Sequence, residues 1–80
     1  MRVLVLDGHS RAAIETLQSL GRAGIEVDIA AETADCLAFH SRYASRKLRQ
    51  PPQNQLLDFH NWLQSEDRER NYELIVPATE

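Results

Sequence analysis

The chain has 80 residues, 42% of them hydrophobic and 26% charged, with a net charge of −3. That length holds one small domain with a core covering only roughly 60% of the unfolded surface. The acidic balance gives no global case for nucleic-acid binding, the single cysteine, Cys36, excludes an internal disulfide, and no apolar run approaches the roughly 20 residues of a membrane span.

Met1-Arg2 leads directly into Val3-Leu4-Val5-Leu6, a continuous apolar run that predicts a strand buried on both faces. No signal peptide is therefore expected ahead of the fold, and the one cysteine suits a reducing cytoplasm. After the turn DGHSRAA, Ser10 is a good N-cap. Ala13, Ile14, Leu17 and Leu20 then share one helical face, with Gly21 and Gly24 as stop signals. Ile25, Val27 and Ile29 alternate with Glu26 and Asp28, a pattern that suits a strand nearer a sheet edge. Strand, helix and strand within thirty residues make a βαβ unit with parallel strands.

Residues 32–49 lack a clean period. Short helical turns are expected over 33–38 and 41–45, then a polar strand ended by Gln50-Pro51-Pro52. Asn54 is placed to cap a second helix with a buried stripe of Leu56, Phe59, His60 and Leu63, flanked by Leu57 and Trp62. Glu66 and Arg70 are spaced as a solvated i,i+4 pair. Leu74-Ile75-Val76 closes the series as a last strand, with Pro77 ending it.

Three chemistries fit the turn at residues 7–13. A dinucleotide fingerprint would use Gly8, Ser10 and Ala13, with Glu32 on a ribose, but it keeps only one of its three glycines. A nucleophile elbow would use Gly8, Ser10 and Ala12, with His40 or His60 as base, and lacks its last glycine. An anion or carboxylate site would use the helix N-terminus with Ser10 and Arg11 as extra donors. Gly8 as a tight turn, Ser10 as a cap and Arg11 in solvent explain the same residues without a ligand. Arg42, Arg46, Lys47 and Arg49 gather four of the nine basic residues. They suit either an anion-steering patch or a charged, protected edge strand. Trp62 suits helix-to-sheet packing or a domain interface. No residues have metal-ligand spacing.

Taken together, VLVLDGHSRAAIETLQSLGRAGIEVDIA, SRYASRKLRQPP and LIVPATE resemble the N-terminal, pre-ATP-grasp domain of ATP-grasp carboxylate–amine ligases. The nearest group is the predicted ATP-dependent carboligases related to the carbamoyl-phosphate synthetase large subunit. The resemblance covers nearly all 80 residues. It implies that residues 1–80 are the first module of a longer chain whose later lobes bind ATP and magnesium. There a carboxylate is activated as an acyl phosphate and attacked by an amine. It also implies that Gly8, His9, Ser10 and Arg11, with Pro77, Thr79 and Glu80, lie on loops facing the substrate. No catalytic residue, cofactor or metal is expected within these residues. The implied partners are the downstream lobes and a small carboxylate, without nucleic acid or membrane.

The expected fold is α/β: a three-layer, Rossmann-like module with a short parallel sheet in the order 3-2-1-4. Its strands are expected near 2–7, 25–30, 46–49 and 73–77. The rivals are a free-standing nucleotide- or NAD-binding module and a regulatory domain without chemistry.

Overall fold

The computed structural model describes residues 1–33, 37–52 and 54–77. Thr79, Glu80 and Cys36 lie outside the described residues, as does half of the helical turn expected over 33–38. The elements run β1 (Arg2–Leu6), α1 (Arg11–Arg22), β2 (Glu26–Ala31), a short 3₁₀ helix (Leu37–His40), β3 (Ala44–Arg49), α2 (Leu56–Arg70) and β4 (Leu74–Pro77). All four strands are parallel, in the order β3-β2-β1-β4. Layering follows from strand alternation. Val3, Val5, Val27, Ile29 and Ala31 face α1 and the 3₁₀ helix, while Leu4, Leu6, Ala30 and Leu48 face α2.

The alternation in β2 does not mark an edge. β2 pairs with both β1 and β3, and every residue from Val27 to Ala31 is buried. Asp28, which suggested a wet face, is fully buried and receives a hydrogen bond from Tyr72. Polar alternation thus reflects a buried carboxylate held through one oxygen by Tyr72.

α1 begins as expected, with Ser10 Oγ accepting from the Ala13 N–H at 3.1 Å. It ends in a Schellman motif: the Gly24 N–H reaches the Gly21 carbonyl and the Ile25 N–H the Leu20 carbonyl. Gly24, at φ 82, supplies the left-handed residue. Gly21 is not a stop signal. It lies inside the helix, where a Cβ would stand 2.4 Å from the Tyr43 ring, so its smallness admits Tyr43.

The expected turn over 41–45 is shorter, because β3 already starts at Ala44. Its pairing slips between Val27↔Ala44 and Asp28↔Arg46, leaving Ser45 as the extra residue of a bulge. That slip explains the missing period. Ala44 packs toward α1, yet Leu48, four residues on, packs toward α2.

α2 departs most from expectation. Gln55, not Asn54, holds the cap position, and no side chain bonds there. Leu56 and His60 are exposed rather than buried, and Leu57 is 78% exposed. The real contact is Phe59, Trp62 and Leu63, all half-buried against a patch of four buried residues. That patch is too small to cover a fifteen-residue helix. Arg70 does not form the expected pair with Glu66; its guanidinium turns to Asp28.

Candidate functional site

From β1 the chain steps outward to β2 and β3, then crosses back to place β4 on the other side of β1. At that reversal β1 and β4 end side by side, and open α/β sheets bind ligands in crevices at the carboxyl ends of such strands. Leu6 and Pro77 are register partners there. The turn Gly8–Arg11 thus follows a strand end paired with Pro77, while Gly8 itself leans over β2 with its N–H on the Ala30 carbonyl.

Within the turn, the left-handed residue is Asp7, at φ 58, and not Gly8. Gly8 is needed for a different reason. Its N–H donates to the Ala30 carbonyl at 2.8 Å, and a Cβ would sit 3.1 Å from Ile29 Cγ1 and 3.2 Å from the Ala30 oxygen. Ser10 is 7% exposed and its Oγ serves the cap. His9 and Arg11 are exposed. The buried Asp7 carboxylate lies three residues before the cap, so negative charge already stands near the helix N-terminus. An incoming anion there needs a cation, and Arg11 is the one in the turn.

These facts bear on the rival chemistries. The Gly8 N–H turns into the sheet rather than toward a pyrophosphate, and the middle fingerprint position carries a capping side chain. An elbow serine needs an exposed Oγ, and that of Ser10 is buried in the cap.

The basic residues do not make one patch. β3 is an edge strand, and Arg46 shares a register position with Asp28 on the α2 face, whereas Lys47 and Arg49 pair with Ile29 and Ala31 on the α1 face. Arg49 Nε donates to the Glu32 carbonyl at 3.1 Å. Arg42 lies over the Tyr43 ring, 5.0 Å from its centroid, and donates to the Tyr43 hydroxyl.

Two polar features were not singled out from sequence. Gln50, immediately after β3, is 3% exposed and bonds Asp7 from beneath the turn. The second is a buried network toward the amino ends of the strands. Tyr72 donates to Asp28 Oδ2 at 2.6 Å, and Arg70 Nε lies 3.3 Å from the same oxygen, near enough for charge attraction but not aligned as a hydrogen bond. Burial, then the bond to Asp28, pushes the Tyr72 phenol well above its ordinary range. Arg2 bonds both Glu26 and the Arg70 carbonyl. Its hydrogen bond holds the Glu26 carboxyl below the usual carboxylate range. A depression of about 290 Å³ opens here, walled by Arg2, Glu26, Arg70 and Glu73. Its charged groups already serve partners: Arg2 with Glu26, Arg70 with Asp28, and the N-terminal amine with Glu73 at 3.7 Å.

Among the described residues, no three His, Cys, Asp or Glu side chains converge as metal ligands, and no helix is long and apolar enough to cross a membrane. No family model, curated protein or solved structure matches the chain.

Proposed function

We propose that this chain is the substrate-side, pre-ATP-grasp domain of an ATP-dependent carboxylate–amine ligase. The observation that carries the reading is the β1–α1 turn. It stands at the sheet's reversal point, anchored from below, with His9 and Arg11 exposed above it. In such a ligase a carboxylate oxygen takes the γ-phosphoryl group of ATP and ADP leaves; an amine then attacks the acyl carbon and phosphate leaves. ATP and magnesium belong to the later lobes in this scheme. The present residues bind and orient the carboxylate: Arg11 by a charge-assisted hydrogen bond, His9 and Pro77 by shaping the crevice. Ser10 supports the turn through its cap. A cytoplasmic location accompanies this reading, since ATP is available there.

The test is ADP release by a polypeptide carrying this domain with its ATP-grasp lobes, assayed with ATP, magnesium and a panel of amino-acid carboxylates. Arg11→Ala should raise KM for the active carboxylate about 10- to 100-fold, the worth of a hydrogen bond to a charged group. Thermal stability should change little. An unchanged KM removes Arg11 from the substrate side. Saturable NAD or ATP binding by the 80-residue chain, mapped to residues 8–13, would favour the nucleotide-binding module instead.

A further inference from the structure

We propose that Gln50 is the positioning residue of the β1–α1 turn, its carboxamide fixing how His9 and Arg11 face the crevice. The inference rests on the substrate-side reading above. β3 does not touch β1, because β2 lies between them. Gln50 nevertheless reaches across the end of β2 to the end of β1. Its own N–H donates to the Ala31 carbonyl at 2.9 Å, which fixes where the side chain starts. Oε1 then accepts the Asp7 N–H at 3.0 Å, and Nε2 stands 3.4 Å from Asp7 Oδ1, at the long end for a hydrogen bond. Only one orientation of the amide serves both, because the N–H needs an acceptor and the carboxylate a donor.

Asp7 needs such a hold. Its left-handed conformation is costly for a residue with a side chain, and asparagine and aspartate merely bear it best. The Gln50 carboxamide grips Asp7 by backbone and side chain together. One residue on, the Gly8 N–H is pinned to Ala30. The turn is thus fastened to β2 through Gly8 and to β3 through Gln50, and the residues that follow inherit their direction from both. Packing alone would be better served by an apolar side chain, since a buried amide is costly unless bonded.

The test uses the 80-residue chain, amide hydrogen exchange, ¹⁵N–¹H spectra and sodium acetate as the carboxylate probe. Gln50→Ala should speed exchange of the Asp7 amide about tenfold or more, the worth of one buried hydrogen bond. It should also move the His9 and Arg11 amides and weaken their response to acetate about threefold or more. Gln50→Met, of similar length but without hydrogen-bonding groups, should do the same and guards against a collapsed alanine variant. Unchanged Asp7 exchange with unchanged His9 and Arg11 signals in both variants overturns the positioning role. A turn loosened in both variants, in a chain whose wild type shows no acetate response at residues 8–11, upholds the positioning role and overturns the substrate-side reading.

Discussion

The two helices are attached to the same sheet by different means. α1 is capped at both ends, buries Ala13 and Leu17 completely, and yields a glycine to Tyr43. α2 buries no residue and has no N-terminal side-chain cap, with Leu56 and Leu57 exposed at its start. Its far end is instead tied by polar groups. The Arg70 carbonyl receives Arg2, Arg70 and Tyr72 meet Asp28, and Asn71 closes the helix in a left-handed conformation. Apolar contact spreads its contribution along a helix, at about 25 cal/mol per Å² buried. A polar tie concentrates it at a few atoms, each costly to leave unmade. The first helix resists change everywhere along its face; the second depends on its last turn.

The largest effect should come from the packed helix. Leu17→Ala should cost about 3 kcal/mol, measured by urea denaturation, because it empties a fully enclosed site. A loss under about 1 kcal/mol would mean that α1 is held no better than α2. Gly21→Ala comes next. Helix propensity alone predicts a gain of about 1 kcal/mol. The Tyr43 ring in the path of the new Cβ reverses that sign, for an expected loss of about 2 kcal/mol. A stabilised Gly21→Ala variant would show that Tyr43 simply moves aside.

Tyr72→Phe should be the smallest, about 1 kcal/mol at neutral pH, for one half-buried bond to a carboxylate. Its distinctive mark is at alkaline pH. The folded phenol ionises above its ordinary value of 10, so its contribution is complete below that value. As pH rises further the unfolded chain releases the proton first, and stability falls. Tyr72→Phe should lose less stability than wild type as pH rises above 10, read from unfolding midpoints. Parallel pH profiles would detach Tyr72 from the network that anchors α2.

β1 and the capped start of α1 were legible because each depends on neighbours in sequence, whereas the strand order, which pairs Val3 with Leu74, was expected from the topology that parallel βαβ units favour. Continuous β-branched residues in β1 and a serine before an amphipathic run are local signals. What sequence did not show depends on distant partners. Asp28 reads as a wet position until Tyr72 arrives to bond one of its oxygens. Gly21 reads as a helix stop until Tyr43 occupies the space beside it. The α2 pattern names a face but not the area of sheet beneath it. The bulge at Ser45 erased the alternation that would have assigned the basic residues to two faces. At the candidate site, Ser10 and the turn were visible. Gln50, before two prolines, reads as the close of a strand, because its partner Asp7 lies 43 residues earlier.

Asp28 also joins the two halves of the chain. Its strand belongs to the first βαβ unit, yet its donor and its cation come from residues 72 and 70, near the far end of the described chain. A nascent chain that closes β1, α1 and β2 early leaves that carboxylate in water on the face opposite α1, and α2 brings Arg70 as it covers it. The burial of Asp28 and the arrival of its donor therefore belong to the same docking of α2 and β4.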